Sequence, residues 1–205
     1  MRVQPPYRHA AVATVLTVLA FVVLLSFFPR LALSVVQEDG AVEWLQVALF
    51  IAAAVTALVI GRRPPTVLNV LLALLFGMFV ELEVDLDRRM FGRPVIDKRF
   101  LLDANIALLP RLLTVLVLGG LAIAVVVYVW HRRAELVGAI AAMLRTPGGH
   151  IVLAGLGVIA IVQVFEKSLN FALPLPRYLL EESLELIAAL YCFLGVLAHV
   201  RHGRR

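Results

Sequence analysis

The stretch LLTVLVLGGLAIAVVVYVW, residues 112–130, runs 19 positions without a single charge. A helix needs about 20 mostly apolar residues to cross the hydrocarbon of a bilayer. Inside that layer a backbone must satisfy its own hydrogen bonds, which an isolated helix does and an isolated strand does not. Comparable runs lie at roughly 10–28, 41–60, 66–86, 106–130, 150–169 and 180–200. The expected fold is therefore all-α: a polytopic membrane protein with six transmembrane helices.

Composition agrees. Of 205 residues, 62% are hydrophobic and mean hydropathy is +0.96, where a soluble domain has about 45–50% apolar residues. One water-soluble core of this size cannot bury that excess. No long polar insert separates the runs, so residues 1–205 read as a single transmembrane domain. The first run follows Arg2 and Arg8, as a secretory signal would, but its apolar stretch is longer than the usual 7–15 residues or so of such a segment. Cys192 is the one cysteine, which excludes an internal disulfide. Between the fourth and fifth runs, RRAELVGAIAAMLR (132–145) spaces Leu136, Ile140, Met143 and Leu144 as one face of a short amphipathic helix at the membrane surface.

The polar residues give orientation. With the amino terminus inside, the inner side carries Arg2, Arg8, Arg62, Arg63, Arg132, Arg133, Arg145, Arg201, Arg204 and Arg205 against one acid, Glu135. The outer side carries the other thirteen acids and nine basic residues, five of them between 88 and 99. Basic residues that flank helices on one side mark the cytoplasm, so both termini are expected inside a plasma membrane. The net charge of +5 then divides into an inner rim of +9 and an outer side of −4. The rim suits anionic lipid headgroups. The arginines are spread over helix ends rather than gathered on one element, which argues against nucleic acid.

Several outer acids have ordinary explanations. Glu38, Asp39, Asp103, Glu181 and Glu182 fall at amino ends of descending helices, where a carboxylate complements the dipole and caps free N–H groups. Glu81, Glu83 and Glu166 fall at carboxyl ends of ascending helices, where the dipole opposes them. In FVELEVDLDRRMFG (79–92), a continued helix places Glu81 four residues before Asp85 and Asp85 four before Arg89. Glu43, Gln46, Arg111 and Glu185 lie at similar depth. A candidate cation or proton site follows: Glu43, Glu81, Glu83, Asp85, Glu166 and Glu185, with Arg111 and Arg89 as counter-charges. Oxygen ligands alone suit a hard cation or a proton.

Other chemistry fits poorly. His9, His131, His150, His199 and His202 all fall at the inner ends, away from the outer carboxylates and from Ser26, Ser34, Ser168 and Ser183. That placement disfavours a His-carboxylate metal centre and an intramembrane serine hydrolase. TPGGH (146–150) lacks the spacing and the lysine of a phosphate loop. The loop 87–104 mixes both charge signs with Met90, Phe91, Val95, Ile96, Phe100 and Leu101, so it is expected to be ordered outside the membrane.

EDGAVEWLQ (38–46) and the acidic segment closing in RRMFG (88–92) carry a resemblance. The chain resembles a group of small, uncharacterised bacterial multi-helix membrane proteins with an EDG-x-x-EW helix start. The resemblance covers the first half of the chain and implies a bacterial plasma membrane, without implying an activity. Three functions are compatible with these residues. One is a small transporter or cation-responsive protein using the outer carboxylates. Another is a non-catalytic subunit or assembly factor of a larger membrane complex, docking a membrane-protein partner through residues 81–103. The third is a lipid-modifying enzyme with paired carboxylates.

Overall fold

The computed structural model describes residues 5–36, 40–60, 66–85, 88–89, 92, 98–102, 106–168 and 174–202. Among them the regular structure is entirely helical. In chain order the helices are α1 (Pro5–Phe27), α2 (Pro29–Val36), α3 (Ala41–Val55), α4 (Val67–Val84), α5 (Lys98–Leu102), α6 (Leu108–His131), α7 (Arg133–Met143), α8 (Pro147–Ser168) and α9 (Pro174–His202). A π-helical turn, Thr56–Ile60, extends α3. Six helices are long and apolar enough to cross a membrane: α1, α3 with its π turn, α4, α6, α8 and α9. The chain is thus an all-α, multi-pass membrane protein.

Local chemistry sets several boundaries. Pro29 has no N–H to continue the ladder, so α1 stops at Phe27 and α2 begins on the proline. Thr66 caps α4 by accepting from the Asn69 N–H at 3.3 Å. Thr146 does the same for α8, accepting from the Gly149 N–H at 3.0 Å, with Pro147 at the first helical position. TPGGH is therefore a helix start. α4 ends at Asp85, which adopts the left-handed conformation with φ 46°. The helix expected to run on through Arg89 is interrupted there.

α9 is the axis of the bundle, packing against α8, α3 and α1. Its crossing with α8 is close because glycines remove side chains from both sides. A Cβ on Gly148 would fall on the backbone of His199 and Gly195. One on Gly195 would lie 2.7 Å from Val152 N, and one on Gly155 would lie 2.9 Å from Ala188 O. Small residues at such spacing let transmembrane helices gain van der Waals contact that lipid tails do not offer. The main core joins Phe50, Phe76, Val152, Cys192 and Val196, with Phe79 tilted against Phe50 at 5.2 Å. A second cluster packs Ala32, Val36 and Val42 against Leu179 and Leu186.

One end of the bundle gathers Tyr7, Thr146, His150 and His199. Tyr7 Oη lies 2.7 Å from His150 Nδ1, and Thr146 Oγ1 lies 3.3 Å from His199 Nδ1. α7 lies at this end. Its packed face is Leu136, Ala139 and Met143, whereas Ile140 and Leu144 are exposed. The amphipathic face expected at 136, 140, 143 and 144 is rotated toward 139, because α7 rests on the bundle core. α7 also holds α4: Glu135 accepts from the Val67 N–H at 3.3 Å and from Arg132 at 2.8 Å.

α6 stands apart. None of its 24 residues is buried, and among the described residues it packs mainly against α7 and reaches α5 through Arg111. Most of the loop expected to be ordered at 87–104 lies outside the described residues. Within it, α5 buries Phe100.

Candidate functional site

The polar layer forms where α3, α4 and α9 meet, at the end opposite the histidines. Its centre is Gln46, in the second turn of α3 and 0% exposed. Gln46 Nε2 donates to Glu182 Oε2 at 3.1 Å and to the Glu182 backbone carbonyl at 3.3 Å. Glu83, half-buried on α4, lies within electrostatic reach of Glu182 and Glu43. Glu182 in turn interacts with Glu43 and Glu181. Three helices thus place Glu43, Glu83 and Glu182 within electrostatic reach of one another, with Glu182 held by the buried Gln46 amide.

Glu182 is the member that the sequence concealed. With α9 taken to begin near residue 180, Glu181 and Glu182 look like amino-terminal caps. The helix instead begins at Pro174, since prolines 174 and 176 are tolerated in a first turn whose N–H groups have no intrahelical partner. Glu182 then sits about two turns inside the helix, where no free N–H awaits a cap. Gln46, three residues after Glu43, had the matching signal: a polar side chain on the same helix face as an acid.

The remaining candidates divide. Glu81 and Glu185 are half-buried on α4 and α9. Glu185 follows Glu182 by three residues and so shares its helix face, whereas Glu81 and Glu83, two apart, diverge around α4. Asp85 is exposed and pairs with Arg88 at 3.8 Å. Arg89 donates from Nε to the Val84 carbonyl at 2.6 Å, and its guanidinium lies 5.9 Å from the centre of the Trp44 ring. It thereby satisfies a carbonyl left over at the end of α4. Arg111, expected as a counter-charge, instead donates to the Leu101 carbonyl at 3.4 Å. It rides on α6, whose main packing among the described residues is against α7. Glu166 lies in α8, and its side chain lies outside the described residues. Glu38, Asp39, Asp87 and Asp103 also lie outside them.

Two buried polar atoms have no partner among the described residues, Gln46 Oε1 and Arg111 Nε. Each omission costs about 1–3 kcal/mol by general experience with buried polar groups. Among the described residues, no group of three or more His, Cys, Asp or Glu side chains is placed to hold a metal ion.

Comparison with protein-family models, with curated proteins and with solved structures gave no match. The fold and the layer define the chain as a six-span helical membrane protein with clustered carboxyl groups at one end of its bundle.

Proposed function

We propose that this protein is a small transporter or cation-responsive protein of a bacterial plasma membrane, with both termini cytoplasmic, whose outer carboxylate layer takes up a proton or a hard cation. The observation that carries the reading is that Glu43, Glu83 and Glu182, from three helices, lie within electrostatic reach of one another while Glu182 is held by the buried Gln46. Like charges held together in a poorly screened region repel, and a proton or cation relieves that repulsion. The bacterial membrane is suggested by the EDG-x-x-EW resemblance.

The test is the thermal unfolding midpoint of the purified protein across pH and with added Na⁺ or Ca²⁺. Wild type should respond to pH or to one of the cations, and Glu83→Gln or Glu182→Gln should flatten that response. A midpoint indifferent to both variables would sink the proposal.

A second reading, a subunit of a larger membrane complex, draws on α6, which buries no residue in the bundle. Purification in mild detergent should then bring down a second membrane protein at fixed ratio, and a variant lacking α6 should lose it.

A further inference from the structure

The hydrogen bonds of Gln46 constrain what the layer holds. Both acceptors beside its amide nitrogen belong to Glu182, the side-chain Oε2 at 3.1 Å and the backbone carbonyl at 3.3 Å. A backbone carbonyl never donates, so it fixes which end of the amide faces α9, whatever the state of the Glu182 carboxyl. Oε1 therefore points elsewhere, and it meets no donor among the described residues. A fully buried acceptor of this kind calls for an N–H, an O–H or a cation.

The layer supplies one such donor from its own side chains. A protonated carboxyl group carries an O–H, and Glu83 on α4 is half-buried and within electrostatic range of Glu182, the acid that the Gln46 amide already holds. A bare metal ion fits less well. It needs several oxygen ligands at about 2.0–2.6 Å simultaneously, and no three acidic, histidine or cysteine side chains among the described residues are so placed.

We propose that Gln46 is the hub of a one-proton site: Nε2 donates to the Glu182 carboxylate while Oε1 accepts from the protonated carboxyl of Glu83. The proposal rests on the carboxylate-layer reading and names the ligand of that layer as a proton. The amide makes the two acids unequal, because one must accept and the other must donate. Loss of the Glu83 proton to water leaves a second carboxylate and an unmatched amide oxygen, so proton release strains the contact between α3, α4 and α9. Toward this end of the elements packed around Gln46, the titratable groups include Glu43 on α3, Glu81 and Glu83 on α4, Tyr178, Glu181, Glu182 and Glu185 on α9, and the exposed Arg30 on α2; Tyr191, Cys192, His199 and Arg201 lie further along α9.

Infrared difference spectroscopy between acid and alkaline pH tests this on the full chain in vesicles of phosphatidylcholine and phosphatidylglycerol. Wild type should show the carbonyl stretch of one hydrogen-bonded, protonated carboxyl group. Glu83→Gln should abolish it, Glu43→Gln should retain it, and Gln46→Met, which keeps the volume but removes the acceptor, should lose the hydrogen-bonded band. A second readout does not depend on Gln46→Met folding. The side-chain N–H of Glu83→Gln mimics the protonated acid, so this variant should melt above wild type at alkaline pH. A band unchanged in Gln46→Met, or a Glu83→Gln protein that melts below wild type at alkaline pH, overturns the proton site. No titrating band, together with a melting response to Na⁺ or Ca²⁺, overturns it while leaving the carboxylate layer standing. Absence of any response to pH or cation removes both.

Discussion

Glu135 shows how one side chain couples two elements. Its carboxylate accepts from Arg132 and from the Val67 N–H, joining α7 to the start of α4. The Arg132 hydrogen bond first, and the Val67 N–H second, hold its carboxyl below the usual carboxylate range. Because the folded value is the lower one, the stabilisation is fully present above the ordinary value of about 4.3 and is lost as pH falls through the depressed folded value. Glu135→Gln should thus melt below wild type at pH 7, and the gap should close in acid; a gap that persists there would assign the loss to packing. The sequence showed Glu135 as the lone acid on the inner side, but not its partner, because Val67 is 68 residues away and only the seating of α7 on the core brings them together. Glu83 was legible, since an acid opposed by its own helix dipole needs a reason to be there. Glu182 was not, because its meaning depended on where α9 begins. A shift of the start from about 180 to Pro174 converts a cap into a member of the layer.

At the scale of elements, the spans were plain from hydropathy alone, since each apolar run is a separate helix, although α1 and α9 begin earlier than expected, at Pro5 and Pro174. What hydropathy omits is helix pairing, which the small residues of α8 and α9 decide. Gly195 and Gly157 make the contrast testable. A methyl group on Gly195 would meet Val152 N at 2.7 Å and Gly148 O at 2.8 Å, while one on Gly157 would meet nothing within 4 Å. Overpacking of a tight contact costs about 1–3 kcal/mol, whereas replacing an interior helical glycine by alanine gains about 1 kcal/mol where there is room. Gly195→Ala should therefore lower the melting midpoint in detergent and Gly157→Ala should leave it unchanged or raise it. Equal midpoints would mean that α8 and α9 do not cross as closely as described. The break at Asp85 was hidden for a different reason. Aspartate enters the left-handed region only occasionally, so the alternating acids at 81, 83, 85 and 87 invited one continuous helix.

For the whole molecule, the arrangement of ends constrains topology before any membrane is considered. The contacts of Tyr7 with His150, Thr146 with His199 and Glu135 with Val67 put the starts of α1, α4 and α8 and the finish of α9 at one end. Gln46 and Glu182, with Glu83 nearby, put the starts of α3 and α9 and the finish of α4 at the other. The proposed orientation places the histidine end in the cytoplasm, because basic residues that flank the helices mark that side. Cysteine labelling decides it cleanly, since the single native thiol, Cys192, is 0% exposed and so gives a silent background. Arg88 and Ala134 are both exposed, at opposite ends of the bundle. In intact cells a membrane-impermeant maleimide should modify Arg88→Cys and spare Ala134→Cys until the membrane is permeabilised. The reverse pattern would place the carboxylate layer in the cytoplasm, where its proton would come from the opposite side and the inner rim of arginines would face outward.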